Sequence, residues 1–261
     1  MPETRQIFRF SWLIAAATAT AILLPSLARA AAPVVESPTP MMESHAPAGM
    51  AFARYISGLT AALPWGLETI EIEASLPKLE KHGRLRAIRR LLPAGKPEFQ
   101  VIEMNGDRTV RQQVIARYLS AEVRAADLPS SSVAITPANY KFRYQGRIEN
   151  GPLKAFMFHI TPRHKREGLI QGELWIDADT GVAVRQSGYL VKSPSVFVKR
   201  IDVTRETFLR DGMAEMRVTH LTVETRLVGR GELTIHERPC AAAEGCSSAA
   251  ALSPVSEAGE R

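Results

Sequence analysis

From Glu68 to Glu237 the apolar residues of this chain tend to return at every second position. The alternation is interrupted between Thr109 and Ala125, where the interval lengthens to three or four. A two-residue period places successive side chains on opposite sides of a strand, whereas a period near 3.6 gathers them on one stripe of a helix. The pattern therefore restricts the chain to strand after strand with one helix inserted.

The strands follow from local composition. In Glu68 to Ala74, Ile70 and Ile72 point one way while Thr69, Glu71 and Glu73 point the other. Pro77 to Gly83 reads as a turn and Arg84 to Leu92 as its antiparallel return. Phe99 to Met104 is a further strand, closed by Asn105-Gly106, a strong turn dipeptide. In Thr109 to Ala125 the residues Val110, Val114, Ile115, Tyr118, Leu119 and Val123 form the apolar stripe of an amphipathic helix. A Ser/Pro-rich connector runs from Pro129 to Pro137. Tyr140 to Ile148 then alternates, with Phe142 and Tyr144 opposite Lys141, Arg143 and Gln145. Asn150-Gly151 turns the chain into Lys154 to Thr161, whose nearly continuous apolar run predicts burial on both faces. Further strands are read at Leu169 to Asp177, Val182 to Val191, Val196 to Phe208, Ala214 to Arg226 and Glu232 to Glu237. A phase change between Val218 and Leu221 predicts a bulge.

Hairpin after hairpin makes an antiparallel meander, and a sheet of this length curls. The fold class is α+β: a long curved antiparallel sheet, or half-barrel, with the amphipathic helix packed on its concave face. Residues 50–238 form this domain. A short helix precedes the sheet from Met50 to Ala62, with Phe52, Tyr55, Ile56 and Leu59 at helical spacing. Residues 31–49 read as a disordered Pro-rich leader and residues 239–261 as a disordered tail.

Residues 1–30 read as a secretion signal. Arg5 and Arg9 precede the uncharged run from Trp12 to Leu24, Pro25 breaks it, and Ala28-Arg29-Ala30 supplies the small-x-small cleavage pattern. The run is 13 residues, shorter than a helix needs to cross a hydrocarbon layer of ~30 Å. Retention as an uncleaved anchor is the alternative. After cleavage the mature chain is expected to hold no transmembrane segment.

The whole chain carries 33 basic and 27 acidic residues. Cleavage after Ala30 removes Arg5, Arg9, Arg29 and Glu3, leaving 30 and 26, a net charge of +4. Acids and bases are interleaved, so no nucleic-acid footprint is read. Cys240 and Cys246 are the two cysteines. In an oxidising compartment they are candidates for a disulfide that staples the tail. A metal site there lacks ligands, since only His236 is near. His45, His82, His159, His164, His220 and His236 are scattered. Asp177 and Asp179 form an Asp-x-Asp pair of the kind that holds hard cations, but the following Thr-Gly favours a turn. No G-x-S-x-G elbow and no Gly-rich phosphate loop occur, so neither a catalytic residue nor a cofactor is assigned.

The segment 172–185, Gly-Glu-Leu-Trp-Ile-Asp-Ala-Asp-Thr-Gly-Val-Ala-Val-Arg, resembles the G-x-hydrophobic-W-hydrophobic-D-x-x-T-G hairpin of the LolA/LolB-like superfamily. These are periplasmic proteins that include outer-membrane lipoprotein carriers and the sensor domain of a sigma-E regulator. The resemblance is strongest over residues 140–190. It implies a half-barrel with a helical lid, an apolar cavity for acyl chains and a periplasmic location; with no catalytic motif found, no enzymatic activity is expected. A lipid or an acylated protein is the implied ligand. Phe156, Phe158 and Trp175 are the candidate cavity-lining residues. For the phenylalanines and the neighbouring Met157 the competing reading is plain core. For Trp175 the competing readings are a cap on a sheet edge and a plain packed aromatic. The alternative function is a cell-envelope interaction or scaffold module without a cavity, docking an envelope protein.

Overall fold

Chain pairing turns the expected meander into a sheet whose beginning and end are neighbours. The structure, a computed structural model, describes residues 46–61, 66–92, 96–151, 153–226 and 229–240. Residues 1–30, read as a secretion signal, residues 31–45 of the stretch read as a leader, and the residues beyond Cys240 read as a tail lie outside the described residues. Helix α1 (Ala46–Ala61) starts within the stretch read as leader. Its alanines at 46, 48 and 51 are strong helix formers, and Ala48 and Ala51 are buried.

Strands β1 (Leu67–Leu76), β2 (Lys81–Leu91) and β3 (Pro97–Gly106) follow. A helical segment, α2, then runs through Arg108–Val110, a π-helical turn at Arg111–Ile115, and Ala116–Ala125. A one-turn helix, α3 (Ser130–Val133), lies within the connector. The remaining strands are β4 (Tyr140–Asn150), β5 (Leu153–Pro162), β6 (Ile170–Asp177), β7 (Ala183–Leu190), β8 (Val198–Arg210), β9 (Met213–Thr225) and β10 (Arg230–Pro239).

All ten strands form one antiparallel sheet in the order β3-β2-β1-β10-β9-β8-β7-β6-β5-β4. The pairing of β1 with β10 joins the first strand to the last, with Ile72 opposite Ile235. The sheet remains unclosed, in keeping with the long curved sheet expected. Its two free edges are β3 and β4, the strands that flank α2 in sequence.

Register places one continuous face under both long helices. Tyr144, Phe158, Leu174, Gln186, Arg205, Thr219, Ile235, Ile72, Leu85 and Met104 are successive cross-strand partners from β4 to β3. Helix α1 sits at one end of that face with Tyr140, Phe156, Phe158, Ile160, Leu174 and Ile176. Helix α2 sits at the other, where Val110 and Ile115 meet Ile70, Ile72, Leu85, Leu233 and Ile235. Each such fully buried aliphatic side chain contributes roughly 1.5–3 kcal/mol. Asp107 starts α2 by accepting backbone N–H groups of Thr109 at 2.7 Å and Val110 at 3.4 Å.

Two sequence expectations fail. Strand β5 is not buried on both sides: Ala155 apart, full burial falls on Phe156, Phe158 and Ile160, while Met157 and His159 on the opposite face are half-buried. Among the described residues, both long helices pack on the same side of the sheet. The bulge expected between Val218 and Leu221 is absent, since β9 keeps unbroken register there with both β8 and β10. Thr219 takes the inward position in line with Leu221, and Val218 points the other way. Register shifts occur instead at Arg86/Ala87 in the β2–β3 pair, Tyr144/Gly146 in β4, Trp175/Ile176 at the β6–β7 pair, and at Val198/Arg200 and Phe208/Leu209 in the β8–β9 pair.

Candidate functional site

The aromatic density of this chain is concentrated beneath α1. Phe52 of the helix lies 4.8 Å from the Phe142 ring in an edge-on arrangement and 5.5 Å from Phe158. Tyr144 continues the floor, 5.6 Å from Phe158 and 6.3 Å from Phe156. The guanidinium of Arg147 closes the outer end over the Phe156 ring at 5.9 Å. Such tilted and edge-on pairs add to plain burial. The helix is tied down at two points. Tyr55 donates from its hydroxyl to the Ile135 carbonyl at 3.1 Å, and Arg54 donates to the Ala178 carbonyl at 2.6 Å. Burial, with Tyr140 nearby, raises the Tyr55 pKa far above the usual phenol range, so it stays a donor.

The three residues singled out from the sequence do not converge. Phe156 and Phe158 share the helix-covered face, paired with Ile176 and Leu174. Trp175 pairs with Met157 and Arg185 on the opposite face. There the Arg185 guanidinium lies 4.8 Å over its ring, and its indole N–H donates to Glu173 at 3.3 Å. Trp175 is therefore built into a cation–π contact on the uncovered side. Its parity with Glu173 rather than Leu174 was the signal for this.

The Asp177–Gly181 segment is a turn. Asp177 Oδ1 accepts the backbone N–H groups of Asp179 at 3.2 Å and Thr180 at 2.8 Å, and also the Thr180 hydroxyl at 2.7 Å. Cys240 directly follows β10, where the Thr69 hydroxyl approaches its Sγ at 3.6 Å, and is not a free thiol. Cys246 lies outside the described residues.

Sequence reading missed a charged cluster at the α2 end of the covered face. Glu68, Arg89 and Glu237 occupy inward positions in phase with Ile70, Ala87 and Ile235, and all three are buried. Arg89 donates from Nε to Glu68 at 2.6 Å and pairs with Glu237 at 2.7 Å and with Glu122 of α2 at 3.7 Å. Arg217 reaches Glu237 at 3.7 Å. Burial opposes the charge on Arg89, but Glu237 and Glu68 outweigh it and raise its pKa. Glu68 is pushed up because burial exceeds the attraction of the one arginine it shares with Glu237. The Tyr118 hydroxyl rises well above the phenol range through burial, reinforced by Glu122 and Glu237. A charge in phase with apolar neighbours was the available sequence signal.

A separate groove of about 470 Å3 opens near the β1–β2 turn, lined by Glu73, His82, Arg84, Asn105, Glu232 and Thr234 among others. It is distant in the sheet order from the aromatic floor. No helix among the described residues is long and apolar enough to cross a membrane.

No family model and no curated protein sequence matches the chain. Solved structures do. A DUF1329 family protein from Desulfovibrio piger is similar at a TM-score of 0.38 and 12% identity, over 77% of this chain and 96% of its own. MucB is similar at 0.28 and 13%, over 73% and 94%. A LolA superfamily protein from Nitrosomonas europaea is similar at 0.32 and 10%, over 73% of this chain and 90% of its own.

Proposed function

We propose that this chain is an exported, non-enzymatic binding protein of the bacterial periplasm, a carrier or sensor that takes the acyl chain of a lipid or lipoprotein beneath α1. The observation that carries this reading is the aromatic floor of Phe142, Tyr144, Phe156 and Phe158 with the Phe52 ring laid on it. An acyl chain is chemically equivalent to the side chains that α1 now contributes, so it takes their place when α1 lifts. The ties that α1 must break are the Tyr55 and Arg54 hydrogen bonds and the packing of Ala48, Ala51, Phe52, Tyr55 and Ile56 on the floor. Phe156 and Phe158 then line the occupied site. Trp175 stays outside it, since its register faces it away from the floor.

The alternative, an interaction module without a cavity, is favoured by the filling of the same face: Ala51, Ile160 and Ile176 have no exposed surface. Purified mature protein is to be extracted and analysed by mass spectrometry for bound lipid, and titrated with a fluorescent fatty acid. Co-purifying lipid and saturable binding are expected. No lipid and no binding, together with a stoichiometric protein crosslinked in cells, would establish the alternative.

A further inference from the structure

Between the two helix-covered regions the inward face changes chemistry. In the row that crosses all ten strands, Tyr144, Phe158 and Leu174 are apolar, as are Ile235, Ile72, Leu85 and Met104. The three residues between them are Gln186, Arg205 and Thr219. They lie on β7, β8 and β9, and β8 contributes no residue to either apolar cluster. The strip between α1 and α2 is thus the polar part of the covered face.

Two arginines meet on it. Arg205 is opposite Thr219, and Arg217 is two residues away on β9, so the arginines are diagonal neighbours across the β8–β9 pair. Diagonal positions are ~7–8 Å apart, within joint reach of one small anion for side chains this long. Arg217 is anchored to buried Glu237. Arg205 is exposed and donates from Nε to the Thr219 hydroxyl at 3.3 Å. Among the described residues no carboxylate forms an ion pair with it, whereas Arg89 nearby takes up Glu68, Glu237 and Glu122.

The neighbouring row supplies a path. Ile160, Gly172, Gly188 and Val203 are successive partners, so two adjacent strands carry no side chain there. Backbone crowding imposes both glycines: a Cβ at Gly172 would lie 2.0 Å from the Ser187 carbonyl oxygen, and one at Gly188 2.1 Å from that of Gln171. The bare stretch leads from Val203 toward Ile160 and the floor beneath α1.

We propose that this strip seats an anionic headgroup, a carboxylate or a phosphate, held by Arg205 and Arg217 with Gln186 and Thr219 as hydrogen-bond partners. The acyl chain attached to it runs over Gly188 and Gly172 to the aromatic floor. The ligand is then an anionic amphiphile, and the inference rests on the reading that an acyl chain binds beneath α1.

The test uses the full mature chain, a neutral fluorescent dye bound in the apolar site, and displacement by palmitate, hexadecyl phosphate or neutral monopalmitin. The anionic amphiphiles are expected to displace the dye at about tenfold lower concentration than monopalmitin, as charge-assisted hydrogen bonds require. Added salt shrinks the advantage. Arg205→Gln abolishes it by weakening the anionic amphiphiles far more than monopalmitin, and the exposed position leaves the fold intact by circular dichroism. Equal affinities in the natural protein, or an advantage that survives Arg205→Gln, would overturn the headgroup site and leave the acyl-chain reading standing. Failure of all three amphiphiles to displace the dye overturns both. Inorganic phosphate alone is expected to bind too weakly to detect by calorimetry. Tight, Arg205-dependent phosphate binding would make the ligand a free anion and overturn the amphiphile.

Discussion

Arg89 donates from Nε to Glu68 at 2.6 Å across the β1–β2 pair, and both side chains are buried beneath α2. The arginine is the shared cation of Glu68, Glu237 and Glu122. Removing it leaves two buried carboxylates with too little compensation. Arg89→Met is expected to cost about 3–5 kcal/mol, read as a shift of the urea unfolding midpoint. A loss under about 1 kcal/mol would mean that water reaches the cluster.

Two carboxylates titrate in opposite senses. Asp107 is lowered: slight burial opposes its charge, but the Thr109 N–H, Lys81 and Val110 N–H outweigh it. Its support of α2 is therefore present above the ordinary carboxylate pKa and lost as pH falls through its depressed one. Glu68 is raised by burial. Its charge weighs on the fold above its folded pKa, and that burden is relieved as pH falls through that value. From about pH 6 to about pH 3, Asp107→Ala is expected to lose less stability than the natural protein, and Glu68→Gln more. Chemical denaturation at both pH values reads each difference. Identical pH profiles in all three proteins would contradict the assignment.

Leu174 and Trp175 are neighbours in sequence on opposite sides of β6. Leu174 is 1% exposed beneath α1, whereas Trp175 is half-buried under Arg185. Leu174→Ala is expected to cost about 2–5 kcal/mol by cavity formation. Trp175→Ala should cost about 1 kcal/mol despite removing more atoms. Thermal or urea unfolding orders the pair, and a larger loss at Trp175 would reverse the assignment of faces.

Gly181 positions the β6–β7 turn against α1. Its φ is +77°, and a Cβ there would stand 2.5 Å from the Arg54 Cβ. Gly181→Ala is expected to push α1 outward and break the Arg54–Ala178 hydrogen bond. Hydrogen exchange should accelerate in α1 while the amides of β8–β10 keep their protection. Unchanged exchange in α1 would mean that the turn does not hold the helix.

The elements that sequence made legible are those with a clean local period. Ile70 and Ile72 in β1, Phe142 and Tyr144 in β4, and the α2 stripe from Val110 to Leu119 all face as their spacing requires. The β1–β10 pairing was not legible, because it joins residues at the two ends of the domain and no local signal encodes it. The full burial expected of both sides of Phe156 to Ile160 failed because apolar content does not say whether a second layer covers the far face. The charged residues of the covered face were legible in principle: Glu68, Arg89, Arg205 and Glu237 share their parity with apolar neighbours. Their meaning depended on seeing four distant strands brought together.

Binding beneath α1 requires that an acyl chain displace the helix. Hydrogen exchange followed by mass spectrometry, with and without saturating palmitate, measures this directly. The account predicts saturable binding, faster exchange in α1, and altered protection in β4, β5 and β6 with the β1–β2 region unchanged. Saturable binding that leaves α1 and its floor untouched, or no binding, would contradict it.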